Sequence, residues 1–257
     1  NDGVCNADCS LREAIAAATS GDTITFSPLF NSAQTITLGG TELTINKNLT
    51  ISGPGANLLT VSGGGTSRVF FVNGVTAALS GMTITGGNGA GTTNSGAGGG
   101  LLSFAGQVTL TNCNVTSNSA SNGGGILASS GPGTSLAVIG STISNNSSSS
   151  GTAGIYASSQ TLTVTNSTIS GNVASGNASA GGLNSFSSAT IVNTAITNNT
   201  ATGLNNAGGI LASGSQPTVR NSIVAANVNN STVPDVGTFG GSFASSGYNL
   251  IGNRGTV

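Results

Sequence analysis

The chain contains no histidine, no tryptophan and very few charged residues. Lys and Arg number 5 and Asp and Glu 6 among 257 residues, so that 4% of the chain is charged, with a formal net charge of -1. About 25% is typical of globular domains. So few cations exclude a basic patch for nucleic acid, and the sparse, scattered aromatic residues form no platform for stacking bases. No run of roughly 18 apolar residues is present, so the sequence predicts no transmembrane segment.

What the chain has instead is an internal repeat. Equivalent triplets end at residues 112, 140, 166, 193 and 221, at steps of 28, 26, 27 and 28 residues. Three positions after each triplet stands a β-branched residue: Val115, Ile143, Ile169, Ile196 and Val224. A fixed period of this length is typical of a solenoid, in which each unit buries its apolar face against its neighbours. Two further triplets, ending at Gly53 and Gly81, extend the register to seven aligned turns.

Each repeat has room for three short strands. Segments such as 108–111 and 162–165 alternate apolar and polar residues, the period of two expected of half-buried strands. The β-branched residue marks a second strand, and an apolar residue after a glycine marks a third, at Leu101, Ile126, Ile155, Leu183 and Ile210. A coil of about 27 residues holds three such strands and their turns. The sequence therefore predicts an all-β fold, a parallel β-helix.

Asparagine recurs at two places in the coil. The first holds Asn112, Asn166, Asn193 and Asn221, and the second, six residues later, holds Asn118, Asn146, Asn172, Asn199 and Asn227. Side-chain amides stacked at the strand spacing of about 4.8 Å can hydrogen-bond along a column beside a sharp bend. We interpret both columns as structural Asn ladders. Neutral amides at corners are a much weaker pattern for metal or sugar ligands.

The first 30 residues differ from the rest. Ser10 and Glu13 form a capping-box pattern, with Ser at the N-cap and Glu three residues on, and predict a helix that Gly21 stops. Its apolar stripe, with Leu11 and Ile15, would cover the open end of the first coil. We interpret Arg12 and Glu13 as capping and helix-end residues. The predicted organisation is a cap over residues 1–30 and coils over residues 31–257, in one continuous domain.

The charge inventory disfavours an enzyme. Polysaccharide lyases and hydrolases need clustered acids, usually with calcium or a basic proton acceptor. No acidic residue lies between Glu42 and Asp235, and the basic residues of that interval, Lys47, Arg68 and Arg220, are whole coils apart. A site built from Asp235 and Arg220 would have the wrong composition. The sequence predicts no catalytic residue, no cofactor and no metal site.

Several segments resemble a known family. The segment 4–15, Val-Cys-Asn-Ala-Asp-Cys-Ser-Leu-Arg-Glu-Ala-Ile, is similar to the "CSLREA" motif of secreted bacterial right-handed parallel β-helix repeat proteins, whose fold is related to the pectate-lyase-like superfamily. Segments 21–26, 45–51 and 247–252 and the Asn-Ser-Thr-Ile repeats match as well. The resemblance implies right-handed winding, export and a bacterial extracellular or cell-surface location. It implies little about activity, and it suggests additional chain before and after this region.

The three cysteines fit an exported protein. Cys5 and Cys9 lie four residues apart at the entrance of the predicted helix, where a disulfide would fix the cap. Metal binding is the rival interpretation, which the absence of histidine weakens. Cys113 stands in a column of mostly small residues beside a bend. We interpret it as a packed thiol, because a cysteine nucleophile needs a base and the chain has no histidine.

The outward positions of the second strand are rich in hydroxyls. The pairs are Thr83 with Thr85, Asn114 with Thr116, Thr142 with Ser144, Thr168 with Ser170, and Ala195 with Thr197. Such an array could order water on an ice-binding surface or face carbohydrate, although Thr is also a common exposed strand residue. Of the many Asn-x-Ser/Thr sequons, Asn177 and Asn230 lie in turns and are the candidates if glycosylation occurs.

The sequence therefore predicts a non-enzymatic extracellular structural protein, either a surface scaffold or a self-assembling fibre or adhesin subunit. Low net charge favours association, and the last residues show no polar cap comparable to the N-terminal helix. We expect the partners to be other copies of the chain, end to end, or a cell-surface carbohydrate. The alternatives are a carbohydrate-binding or degenerate polysaccharide-active β-helix, and an ice-binding solenoid.

Overall fold

The computed structural model describes residues 4–129, 131, 133–158, 161–177, 179–203, 207–230 and 235–253. These residues form a parallel β-solenoid of about 8 turns, with about 27 residues per turn. The predicted all-β solenoid is therefore confirmed. Its right-handed winding stays a prediction, in line with the hand of parallel β crossovers.

Two long sheets run the length of the solenoid. Sheet A consists of Thr23–Thr25, Leu49–Ser52, Thr76–Ser80, Gln107–Thr111, Ser135–Ile139, Thr161–Thr165, Ala189–Val192, Thr218–Arg220 and Ala244–Ser245. Sheet B consists of Gln34–Thr37, Leu59–Ser62, Thr83–Thr85, Asn114–Thr116, Thr142–Ser144, Thr168–Ser170, Ala195–Thr197, Ile223–Ala225 and Leu250–Ile251. Each strand pairs in parallel with its equivalent one coil away. The first strand of sheet A lies within residues 1–30, so the cap and the first coil share residues.

A third sheet closes the coil, and a fourth, not expected from the sequence, precedes it. Sheet C consists of Leu43–Ile45, Phe70–Asn73, Leu101–Phe104, Ile126–Ser129, Ile155–Ser158, Leu183–Ser185, Ile210–Ser213 and Val236–Phe239. Sheet D consists of the two-residue strands Ser119–Ala120, Ser147–Ser148, Val173–Ala174, Thr200–Ala201 and Val228–Asn229. Middle coils therefore contain four strands, in the order A, B, D, C. Two residues without period-two alternation leave no strand signal in the sequence.

The interior of the solenoid consists of stacked aliphatic columns. The β-branched residues of the repeat, Val115, Ile143, Ile169, Ile196 and Val224, point inward from sheet B and are fully buried. Leu110, Val138 and Val164 form the matching column of sheet A. Burying a side chain of this size stabilises the fold by about 1.5–3 kcal/mol. Because each column continues into the next coil, the apolar core has no boundary between repeats.

The corners require left-handed backbone. At the corner from sheet A to sheet B, Asn112, Asn166, Asn193 and Asn221 have φ values of 48–52°, and Gly140 has a φ of 57°. Asn and Gly are the residues that adopt this conformation at least cost. The recurrence of Asn and Gly at the third triplet position therefore has a backbone cause in addition to any side-chain bond.

The outer face of sheet C is partly covered. Phe71, Leu102 and Leu127 point outward from successive strands yet are buried, because Ala97 from the preceding loop packs against them. Farther along the solenoid, Ala180 and Ala207 cover Leu211 in the same way. The connections between sheets B and C thus form a second, thinner layer over sheet C.

A helix, Leu11–Ala17, packs against the first coil, and a short 3₁₀ helix, Pro28–Asn31, follows. Ser10 and Glu13 form the capping box at its N-terminus, and Leu11 and Ile15 are buried in the main core. The apolar stripe therefore covers the end of the aliphatic columns. No helix in the described part of the chain is long and apolar enough to cross a membrane.

Candidate functional site

The buried Asn ladder is the most regular polar feature of the structure. Asn118, Asn146, Asn172, Asn199 and Asn227 are at most 1% exposed. Each side chain donates from Nδ2 to the Oδ1 atom of the next, at 3.1, 2.9, 2.8 and 2.8 Å along the column. Each backbone N–H donates to the same oxygen, at 3.0–3.1 Å. The ladder thereby satisfies the N–H groups that the bend after sheet B turns inward.

Asp235 ends this ladder. Its Oδ1 atom accepts from the backbone N–H and the Nδ2 atom of Asn227 at 2.8 and 2.9 Å, and its Oδ2 atom accepts from the backbone N–H of Asn253 at 2.7 Å. An ionised carboxylate only accepts hydrogen bonds, so it suits a column whose amides all donate in one direction. Asp235 is 2% exposed, whereas Arg220 lies exposed on sheet A. Asp235, considered from the sequence together with Arg220 as a possible site, thus binds groups of the fold instead.

The second Asn column is exposed and shorter. Asn193 donates to Asn166 at 2.9 Å, and Asn221 donates to Asn193 at 2.6 Å. Asn112 is separated from these residues by Gly140, which has no side-chain amide to continue the column. Only part of this column is therefore bonded side chain to side chain.

The residues that follow this column form a buried hydroxyl ladder. The backbone N–H groups of Cys113, Ser141 and Thr194 donate to the Oγ atoms of Ser141, Ser167 and Ser222 in the next coil, at 3.0, 3.1 and 3.0 Å. The hydroxyls accept hydrogen bonds from backbone N–H groups at this corner, as the Asn side chains do at the corner after sheet B. The column was recognised in the sequence as mostly small residues, but its hydrogen-bonding role was not.

A buried ion pair lies beneath the longest connection from sheet B to sheet C. Arg68 is completely buried, and its guanidinium donates to the carboxylate of Glu42, which is 3% exposed. The same guanidinium donates to backbone carbonyls of the connection: those of Gly89, Thr93, Asn94, Ala97 and Gly98, at 2.9–3.2 Å. Glu42 also accepts from the N–H and Oγ1 of Thr92, at 2.9 and 2.7 Å.

This cluster holds residues 89–98 against the solenoid. Burial lowers the pKa of Arg68, and the charge and hydrogen bond of Glu42 oppose that effect. The planar guanidinium also lies 5.7 Å from the ring centroid of Phe71. The guanidinium donates to a carboxylate and to carbonyls of the loop, so its role is to stabilise the fold.

Two further cations attach the helix to the first coil. Lys47 donates to the carbonyls of Ala16 and Ala18, at 2.9 and 2.7 Å, and so binds the C-terminal end of the helix. Arg12 donates to the carbonyls of Thr41 and Glu42, at 2.6 and 2.7 Å. The sequence-based interpretation of Arg12 as a helix-end residue was incomplete, because its side chain reaches across to the coil.

The cysteines contribute no exposed thiol among the described residues. Cys5 and Cys9 form a disulfide, with their Cα atoms 4.4 Å apart. Cys113 is fully buried, and burial raises the pKa of its thiol to about 11. No group of three or more metal-ligating His, Cys, Asp or Glu side chains occurs in the described residues.

A groove of about 650 Å³ lies between the disulfide loop and the first coil. Its lining is mainly apolar and includes Leu11, Phe26, Phe30 and Ile36, with Asp8 as the ionisable side chain. Phe26 and Phe30 pack edge to face, 5.0 Å apart. A single carboxylate beside aromatic rings does not provide paired acids or an acid and a base for chemistry.

The hydroxyl array of sheet B is in register and longer than the sequence indicated. Thr35 and Thr37 pair with Thr60 and Ser62, which pair in turn with the first strand of the expected array. The array ends toward the C-terminal coils, where Ala195 and the exposed Ile223 replace hydroxyls. Sheet A carries outward threonines as well, including Thr109 and Thr163. Hydroxyls are therefore a property of the exposed strands in general.

Asn177 and Asn230, the two candidate glycosylation residues, are exposed. The Nδ2 atom of Asn230 donates to the carbonyl of Thr202 in the preceding coil. The remainder of each sequon includes Ala178, Ser231 or Thr232, which lie outside the described residues.

Comparison with known proteins adds no relative. No protein-family model matches the chain, and a search of curated proteins gives no match. The similarity to CSLREA-motif proteins thus stays a prediction from the sequence.

Proposed function

We propose that the protein is a non-enzymatic structural protein of the bacterial cell surface or extracellular space. It would act as a rigid β-solenoid scaffold that presents its exterior, as an adhesin or as the subunit of a fibre. In this proposal the stacked coils supply stiffness and length, and the exposed sheet faces supply contacts.

The observation that carries this proposal is that most of the charged side chains are bonded to other groups of the fold. Asp2 and Arg254 lie outside the described residues, which leaves nine charged residues of the eleven in the chain. Seven of these nine bind groups of the fold: Arg12, Glu13, Asp22, Glu42, Lys47, Arg68 and Asp235. Acid–base or metal chemistry needs charged groups aimed at a substrate. These seven instead bind backbone groups, uncharged side chains of the fold and, in the pair of Glu42 and Arg68, each other.

A direct assay tests the non-enzymatic part. Purified protein is incubated with neutral polysaccharides and with polygalacturonate, with and without calcium, and released reducing ends and unsaturated products are measured. We expect no turnover. Steady product release that survives further purification and is lost in a site variant would overturn this part of the proposal.

The structural part is tested by shape and association. Light scattering over a wide concentration range, with negative-stain microscopy of the same samples, distinguishes rods that join from single rods. Filaments or short chains of rods support a fibre subunit, and single rods found on the surface of intact source cells support a scaffold or adhesin. A protein found only inside the cell would contradict both versions.

A further inference from the structure

The outer face of sheet C is half covered and half open. The covered column contains Phe71, Leu102 and Leu127, over which the loops pack. Two residues farther along each strand is a second outward column, which we call the open column. Strand pairing places Asn73, Phe104, Ser129 and Ser158 in this column, and Ser213 with Phe239 farther along. Phe186 directly follows the strand Leu183–Ser185, and its backbone N–H donates to the carbonyl of Ala157 at 2.9 Å, so it continues the column between them.

The phenylalanines of the open column are exposed to solvent. Phe104 is 37%, Phe186 41% and Phe239 53% exposed, although aromatic rings usually bury most of their surface. The chain has 8 phenylalanines, so three in one column is a concentration that the sequence alone does not reveal. Strand pairing places Phe104 and Phe239 in the column, and Phe186 continues it one residue past its strand.

The ring of Phe186 has a defined support. It lies 5.3 Å from the ring of Tyr156, at an interplanar angle of 50°. Tyr156 belongs to the covered column, where burial raises the pKa of its hydroxyl against the hydrogen bonds with Ser158 and Asn122. The half-buried ring of Tyr156 therefore packs against the exposed ring of Phe186.

The spacing of the rings follows the solenoid axis. Phe104 and Phe186 are three coils apart, and Phe186 and Phe239 are two coils apart, which corresponds to about 14 and 10 Å at the usual strand spacing. One coil advances by close to the length of one pyranose unit in an extended polysaccharide. A chain lying along the open column would therefore meet a ring at every second or third sugar. Between the rings it would meet the half-buried Ser158, whereas the Oγ of Ser129 is buried and Ser213 is 3% exposed, with its hydroxyl donating to Asn184.

The chemistry of the column distinguishes among ligands. The rings are separated by serines and do not form the continuous apolar surface that a stable protein interface needs. Sugars combine an apolar C–H face, which stacks on aromatic rings, with hydroxyls, which can bond to the accessible polar residues of the column, Asn73 and Ser158. No member of the column is charged, so an acidic polysaccharide would find no cation in it.

We propose that the open column binds a neutral polysaccharide chain laid along the solenoid axis, with Phe104, Phe186 and Phe239 stacking on its sugar rings. This inference rests on the proposed surface function and makes it more specific, because it names the class of ligand that the exposed face of the scaffold would bind. The polysaccharide would be bound non-covalently, and no bond would be formed or broken.

Affinity electrophoresis in native gels tests the site. The probes are hydroxyethylcellulose, glucomannan, xylan and polygalacturonate, each cast into the gel at a series of concentrations. We expect retardation by at least one neutral probe and a dissociation constant about three- to tenfold weaker for Phe186→Ala, the range that one aromatic stacking contact supplies. Phe186→Tyr should retain binding.

The matched control is Ile139→Ala. Ile139 is 37% exposed, close to the 41% of Phe186, but lies on sheet A, away from the open column, so its truncation should leave retardation unchanged. Far-UV circular dichroism of each variant excludes unfolding as the cause of a loss.

Three results would overturn the proposal. They are no retardation by any neutral probe, retardation only by polygalacturonate, or equal effects of Phe186→Ala and Ile139→Ala. Self-association that Phe186→Ala abolishes, without retardation by glycan, would instead identify the column as an interface between copies. Release of sugar products would contradict the non-enzymatic function but leave the binding site standing, so the two proposals fail separately.

Discussion

Replacement of Asn172 by alanine is the sharpest test of the buried ladder. The side chain of Asn172 accepts from the N–H and the Nδ2 of Asn146, at 3.0 and 2.9 Å, and donates to the carbonyl of Ile143 and to Oδ1 of Asn199, at 3.0 and 2.8 Å. Alanine leaves two buried donors of Asn146 without acceptors. Each unsatisfied buried donor costs about 1–3 kcal/mol of stability. We expect Asn172→Ala to lower the free energy of unfolding by about 3–5 kcal/mol.

Asn166→Gly is the matched control. Asn166 lies in the same coil, is exposed, and accepts one hydrogen bond from Asn193, at 2.9 Å. Glycine keeps its positive φ of 52° without strain, as Gly140 does in the preceding coil. We therefore expect a loss of less than about 1 kcal/mol from the exposed bond and the added chain entropy.

The assay combines denaturant titration with amide hydrogen exchange. Solenoids can open coil by coil, so a single two-state fit is insufficient and the exchange of individual segments is followed as well. Protection should fall first in the segments that contain Asn146 and Asn172. Equal losses for the two variants, or a loss below about 1 kcal/mol for Asn172→Ala, would show that the ladder is not the main stabilising polar feature.

Three further perturbations test the remaining polar features. Arg68→Met should cost about 3–5 kcal/mol in the denaturant titration, because Glu42 is left buried without its partner, and adding Glu42→Leu should recover part of that loss. Asp235→Ala should raise the hydrogen exchange of Asn227 and leave the N-terminal coils unchanged, which segment-resolved mass spectrometry would detect. Cys113 should resist alkylation at pH 8, since its pKa is raised to about 11 in the folded protein, and should react once denatured; rapid labelling of the native protein would contradict this burial.

Repetition made most of the fold predictable. A residue that recurs every 27 or so positions reports the same environment several times, so the inward position of Ile143 and its equivalents was evident without coordinates. The capping box of Ser10 and Glu13 was evident because it is local, within four residues. Sheet D was missed because strands of two residues carry no period.

Features that occur once were not predictable in the same way. Glu42 and Arg68 are 26 residues apart, close to one coil, and this separation was the available signal that they meet. A pair that occurs once does not recur in other coils, so it forms no periodic pattern in the sequence. Lys47 reaches the end of the helix 29 and 31 residues upstream, which no local pattern indicates.

The same reasoning locates function within a repeat protein. A column that holds one residue type throughout is explained by stacking, as the amides of Asn146 and Asn172 are. Where one residue in a column differs from the others and the fold does not require the difference, another cause is needed. Gly140 replaces asparagine at one corner because both residues adopt the same backbone conformation, so that departure is explained. Phe104 and Phe186 stand in a column of small polar residues, fill no cavity in the core and remain exposed. Single exposed rings are common on protein surfaces, but their alignment along one column is what the proposed polysaccharide site would explain.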